Sequence, residues 1–167
     1  IEIILGSNYN DSFVGDSNGN SFYGGGGTAN IDYSASSAAV SVDLTNNVVS
    51  GGDAQGDSLT AIEKVIGSAY NDTLASATSG HTLQGGRGDD LYIVNHTSVT
   101  VSEAAGEGVD EIQTGLATYS MANFANVERL TYTGSAAFTG TGNAGDNIIT
   151  GGSGNDTLVG GPGADRM

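Results

Sequence analysis

The sequence predicts an all-β solenoid of short stacked strands, on three observations. Three stretches repeat every nine residues, the eighth residue of each repeat is large and apolar, and Gly, Asp and Asn crowd the residues between. Self-similarity at a short fixed period is the signature of repeat architectures. A strand of three residues buries no core alone, so each repeat must stack on others with its eighth side chain inward.

Taken in order, the N-terminal block runs Gly6 to Val14, Gly15 to Tyr23 and Gly24 to Asp32. The central block runs Gly67 to Ala75, Ser76 to Gln84 and Gly85 to Ile93, and the C-terminal block runs Gly142 to Thr150, Gly151 to Val159 and Gly160 to Met167. All vary on G-G-x-G-x-D-x-U-x, with U apolar. The U residues are Phe13, Phe22, Ile31, Leu74, Leu83, Tyr92, Ile149, Leu158 and Met167. The register carries on through Val40 and Val49, and through Val65 and Val101, so the spacers are expected to be degenerate coils. One module then spans 1–167, with repeat blocks at 6–32, 67–93 and 142–167. Alternation in Val40–Leu44 and Val99–Val101 reads as strand with one buried face. Gly51–Asp57 and Ala104–Gly108 read as turns. Between Thr118 and Val127 a short helix or an irregular insertion is expected.

Composition narrows the function. Nineteen acidic residues face four basic ones, a net charge of −15. Lys64, Arg87, Arg129 and Arg166 are scattered, so no basic patch meets nucleic-acid phosphates or an anionic membrane. With no Cys there is no disulfide framework, thiolate zinc site or cysteine nucleophile. No apolar run exceeds the four residues Leu91 to Val94, far short of the ~20 residues that span a bilayer. A chain with 28 Gly and this charge leans towards disorder, yet 37% of it is apolar. A bound cation that supplies part of the folding free energy resolves that tension. The start at Ile1 rather than Met leads us to expect a fragment of a larger protein.

The repeats point to the cation's class. With two repeats per coil, each turn lies about 4.8 Å above the turn two repeats earlier. Gly at positions 1, 2 and 4 permits positive φ and frees carbonyls to face the gap, and Asp at position 6 adds a carboxylate. A donor set of oxygen alone suits Ca²⁺, which takes six to eight oxygens, better than zinc, copper or the more reluctantly dehydrated Mg²⁺.

These residues resemble the RTX, or hemolysin-type, calcium-binding nonapeptide repeat. Residues 67–93 and 142–167 carry the pattern, and 6–32 carry a weakened form. The resemblance implies a right-handed parallel β-roll (a β-helix solenoid) and a non-catalytic module, with no catalytic residue or organic cofactor. It further implies a secreted, extracellular bacterial protein that leaves by type I secretion and folds on meeting calcium. Carried over residue by residue, the position-6 ligands are Asp11, Asp72, Asp90, Asp156 and Asp165, with neutral oxygens at Asn20 and Asn147. Backbone carbonyls of Gly67, Ala69, Gly85, Arg87, Gly151, Ser153, Gly160 and Pro162 complete the expected set. Pairing turns two repeats apart joins Asp72 with Asp90, Asn147 with Asp165, and Asp11 with Ala29; Asp156 needs either a turn beyond Met167 or the poor turn near Phe138. Ala29 and His81 break the pattern.

Other polar residues read more plainly. Asp53, Asp57, Glu63, Glu103, Glu107, Asp110 and Glu128 read first as a solvated acidic surface and otherwise as extra acidic sites. His81 and His96 show no triad spacing, so both are expected to be structural. Tyr9, Tyr23, Tyr33 and Tyr70 read either as edge positions or as an exposed stripe that binds sugars. The alternative function is accordingly an adhesin-type module whose surface takes a polysaccharide or a cell-surface partner.

Overall fold

The structure, a computed structural model, describes residues Ile1–Met167. It is an all-β parallel solenoid in which a 3₁₀ turn at Gly52–Ala54 is the only helix. Thr118–Ser120, where a helix was one expectation, is a strand. It is followed by a turn, and its parallel partner Thr139–Thr141 lies 21 residues on rather than 18. The extra three residues account for the irregularity visible in the sequence.

Strand pairing follows the predicted coil of two repeats. Ile3 pairs with Ser21, Ser12 with Asn30, Thr73 with Leu91, Thr82 with Thr100 and Thr139 with Thr157, all in parallel and 18 residues apart. Apart from the hairpin of Ser41–Asp43 and Val48–Ser50, consecutive strands fall in different sheets, so the chain winds between two walls. One wall holds Ile3–Ser7, Ser21–Gly25 and Ser58–Thr60, then the sheet that runs from Ser41–Asp43 through Thr73–Ser76, Leu91–Val94, Glu111–Thr114 and Arg129–Tyr132 to Ile148–Thr150. The other holds Ser12–Val14, Asn30–Asp32, Lys64–Ile66, Thr82–Gln84 and Thr100–Ser102, then Thr118–Ser120, Thr139–Thr141 and Thr157–Val159.

The second residue of each strand points inward, and stacked coils bring these residues into columns. Phe13, Ile31, Val65, Leu83 and Val101 form one column, and Val42, Leu74, Tyr92, Ile112, Leu130 and Ile149 another. They belong to a single cluster of 25 buried residues. Burying each large side chain is worth roughly 1.5–3 kcal/mol, which the repeated turns alone do not supply. Seven of the nine predicted eighth-position residues are buried, from Phe13 to Ile149. Leu158, on the edge strand Thr157–Val159, is half-buried, and Met167 is exposed. Gly140 stands in its column where a larger residue is usual, because the Phe138 ring occupies that space and stacks on Tyr132 at 4.6 Å.

Residues 33–57 differ from the expected degenerate coil. Val42 rather than Val40 takes the column position opposite Leu74, although Val40 is buried too. Val49 lies in Val48–Ser50, which turns back antiparallel on Ser41–Asp43. The reversal is local chemistry: the Asp43 carboxylate accepts from the N–H groups of Thr45 and Asn46, and Asn47 takes a positive φ of 51°. Such Asx turns with a left-handed Asn close hairpins at little steric cost. Tyr33 is buried rather than part of an exposed stripe, and its hydroxyl donates to Asp57 Oδ2 at 2.7 Å.

Candidate metal centre

The turns are stitched together by their own acidic and amide side chains. A position-6 oxygen accepts the backbone N–H of the coil below: Asp90 from Asp72, Asp110 from Asp90, Asp165 from Asn147 and Asp156 from Phe138, at 2.7–2.9 Å. A position-5 oxygen accepts from the coil above: Asn10 from Thr28, Asn71 from Asp89 and Asp146 from Ala164. The position-5 set was not expected from the sequence, although Asn10, Asn71, Asp89, Asp146 and Asn155 recur there and would have signalled it.

Position 1 is glycine for a steric reason. A Cβ on Gly67 would stand 2.3 Å from Asp72 Oδ2 and 2.6 Å from the carbonyl oxygen of Gly85 in the coil above. On Gly142 it would meet Asn147 Oδ1 and the Gly160 carbonyl, each at 2.3 Å, and on Gly6 the Gly24 carbonyl and Asp11 Oδ2 at 2.5 and 2.7 Å. In each place a side-chain oxygen and a carbonyl from the next coil converge on one glycine-lined gap.

The same turns carry the likeness to known proteins. The RTX calcium-binding nonapeptide repeat family matches in four copies, over residues 1–29 and 139–167. Those two stretches match RTX repeats. Two glycanases of Rhizobium meliloti (strain 1021) share them: endo-1,3-1,4-beta-glycanase ExsH is 46% identical over 84 residues, 50% of this chain and 17% of its own length. Endo-1,3-1,4-beta-glycanase EglC is 43% identical over 87 residues, 52% of this chain and 18% of its own. The chain thus spans less than a fifth of either relative. The family match covers the N-terminal block, read from sequence as weakened, and omits the central block, read as strong. In the structure Gly67, Asp72 and Gly85 nevertheless repeat the gap seen at Gly142, Asn147 and Gly160.

Among the RTX position-6 residues, Asp72, Asp90, Asn20 and Asn147 are buried, while Asp11, Asp156 and Asp165 are half-buried. Asp11 Oδ2 accepts from the Ser7 N–H at 2.6 Å. Asn20 is spent on structure, accepting from the Glu2 N–H and donating to Asp16. Asn147 accepts from the Asn143 N–H and donates to the Val127 carbonyl. Of the expected carbonyl donors, Gly85 and Gly160 face the gaps. Gly67 and Gly151 sit against Asp72 and Asp156, and Ala69, Arg87, Ser153 and Pro162 lie on exposed turn tips. At His81 the missing carboxylate is replaced by a hydrogen bond of 2.9 Å between its Nδ1 and the hydroxyl of Ser76, the position-1 residue of the same repeat.

Asp72 and Asp90 do not share their free oxygens. Both oxygens of Asp72 are engaged, Oδ1 by the Val40 N–H and Ser68 hydroxyl, Oδ2 by the Ser68 N–H. Asp90 instead groups with Glu103 and Asp110, one ligand atom from each lying within 4.8 Å of the others. Asp110 and Asp57 are buried, contrary to the expected solvated acidic surface, because each fills a position-6 place in the stitching. Burial above all, with repulsion from neighbouring carboxylates added, raises Asp90 to about 7, Glu103 to about 8 and Asp110 to about 6, the Asp72 N–H opposing at Asp90 and the Asp90 N–H at Asp110. Burial also raises Asp72, against the opposing pull of the Val40 and Ser68 N–H groups.

The oxygen-only donors fit a hard cation. Buried Asp90 Oδ2 and Glu103 Oε2 accept no hydrogen bond, a state that costs free energy unless something positive meets them.

Proposed function

We propose that this chain is a calcium-binding β-roll module that folds when calcium becomes available outside the cell. The observation that carries the reading is the glycine-lined gap repeated at Gly6, Gly67 and Gly142, where a side-chain oxygen and a carbonyl of the next coil face one point. Asp11 with the Gly24 carbonyl, Asp72 with the Gly85 carbonyl, and Asn147 and Asp165 with the Gly160 carbonyl are the residues that would hold the ions. Asp156 Oδ2 lies against Gly151 with no next-coil carbonyl among the nearest atoms, and Asn20 is held to a structural part. When bound, calcium neutralises oxygens that otherwise repel one another along a stack of net charge −15.

The repeat family is non-catalytic. The two relatives bear glycanase names and match over half of this chain, which supports a module appended to an enzyme acting on a polysaccharide in a secreted bacterial protein. Calcium scarcity in the cytosol keeps such a module unfolded before export, and extracellular sites of 10⁻⁴–10⁻³ M affinity then fill. Isothermal titration with calcium tests the reading. Several sites should fill, and Asp165→Ala and Asp11→Ala should each remove or weaken one of them. Wild-type titrations from both variants would contradict it.

A second reading, surface binding of a glycan, draws on the exposed rings of Tyr9, Tyr23 and Tyr70. A glycan array probed with the calcium-loaded chain separates the two. Binding that is lost in Tyr9→Ala or Tyr70→Ala supports the surface role.

A further inference from the structure

We propose that Asp90, Glu103 and Asp110 form a separate cation site, built on a plan different from the glycine gaps and selective for a calcium-class ion. It stands independently of the calcium reading of those gaps and lies outside the residues matched to the repeat family.

The site arises where the repeat breaks. Gln84 pairs with Ser102, so Glu103 comes to the place directly above Gly85, where a position-1 glycine would otherwise stand. The turn then runs two residues longer, and Leu91 pairs with Glu111, 20 residues on. A long acidic side chain thus replaces the glycine and reaches down into the gap. Glu103 Oε1 is fixed by the Tyr92 hydroxyl and the Gly85 N–H. Asp90 Oδ1 is fixed by the Asp72 N–H, and Asp110 Oδ1 by the Asp90 N–H. None of these donors carries a positive charge.

What remains is a set of oxygens without partners. Asp90 is 2% exposed and its Oδ2 accepts nothing; Glu103 Oε2 is likewise buried and unpaired. Oxygens bound to one calcium at 2.3–2.6 Å lie at most about 5 Å apart, and the three carboxylates already meet that limit at 4.8 Å. Three carboxylates and no nitrogen or sulfur donor disfavour zinc and copper. Magnesium, which keeps much of its water, is disfavoured where two of the three ligands are buried. With three anionic ligands against one at the Asn147–Asp165 gap, this site should be the tightest in the chain.

The test is a calcium titration of the full chain beside Glu103→Gln, Asp110→Asn and Asp165→Asn, with folding in calcium checked by circular dichroism. Glu103→Gln keeps an acceptor for Tyr92 while removing the charge. It and Asp110→Asn should each abolish the tightest step or weaken it by on the order of tenfold or more. Asp165→Asn should leave that step intact. Wild-type tight steps in Glu103→Gln and Asp110→Asn overturn the proposal while leaving the glycine-gap reading untouched. Loss of a step in Glu103→Gln, with none lost in Asp165→Asn or Asp11→Asn, supports this site and counts against the gaps. Terbium supplies a measurement that tolerates a poorly folding variant. The chain has no Trp, so ultraviolet sensitisation of the ion falls to tyrosine, and Tyr92 touches Glu103. Emission should fall by at least half in Tyr92→Phe, and emission equal to wild type overturns the assignment.

Discussion

Asp90 reaches one coil down to accept the backbone N–H of Asp72 at 2.7 Å, while its second oxygen stays buried without a partner. One carboxylate therefore does two things: Oδ1 closes the backbone hydrogen bonding of the stack, and Oδ2 is left to bind. The same division explains why a chain with so many acidic side chains stacks at all, since each position-6 oxygen satisfies an N–H that the turn would otherwise strand.

The inward columns predict where truncation is costly. Leu83→Ala and Ile112→Ala empty fully buried positions and should each cost about 2–5 kcal/mol in calcium, read by urea unfolding. Leu158→Ala, at a half-buried edge position, should cost clearly less. Equal costs at all three would mean that the columns do not form one core.

Two glycines separate crowding from backbone strain. Gly67→Ala sets a methyl group against Asp72 Oδ2 and the Gly85 carbonyl, and should cost about 1–3 kcal/mol and weaken calcium binding. Gly80 has a φ of +85° and open space around its Cβ, so Gly80→Ala should cost only about 1 kcal/mol and leave binding unchanged. The reverse ranking in calcium titration and unfolding would remove the steric account of position 1.

Tyr33→Phe should destabilise the region where the hairpin enters. It strips Asp57 Oδ2 of its one side-chain donor in a buried setting, at a cost of about 1–3 kcal/mol. Hydrogen exchange should report faster exchange at the Asn20 N–H, which Asp57 Oδ1 holds at 2.8 Å. Unchanged exchange there would show that Asp57 keeps its place without Tyr33.

His81 gives the stack an acid-sensitive coil. Burial lowers its pKa below the usual 6.5, with Glu63 opposing more weakly, so the folded chain resists a proton that the unfolded chain accepts. Its contribution is present above about pH 6.5 and is lost as pH falls from there through the depressed folded value. In saturating calcium, stability should decline between about pH 7 and pH 5, and His81→Gln should flatten that decline. An unchanged slope in the variant would place the acid sensitivity elsewhere.

Much of this was legible in the sequence because the nine-residue period fixes the coil, and an apolar eighth residue fixes which side faces in. Phe13, Leu83 and Tyr92 could be placed by counting alone. Asp110 could not, since two residues inserted after Glu103 throw it out of register and disguise a position-6 Asp as loop acid; Glu103 keeps the register, but a glutamate in a glycine's place is not marked as a ligand by spacing. Tyr33 and Asp57 were hidden for a similar reason: the hairpin between them removes any fixed spacing. Asp90 meets Asp72 through the Asp72 N–H, while hydrogen bonding to Val40 and Ser68 engages both Asp72 oxygens, a fact no spacing encodes.

The central claim is that cation binding completes this fold. Binding to the folded state alone contributes about 2.7–4.1 kcal/mol per site at 100–1,000 times Kd, a large share of the stability of a domain this size. Far-ultraviolet circular dichroism of the chain in EDTA, then after addition of calcium at about 5–10 mM, well above extracellular-type affinities, tests it most directly. The account predicts a largely disordered spectrum in EDTA and a β spectrum that returns with calcium. Identical β spectra in both would contradict it.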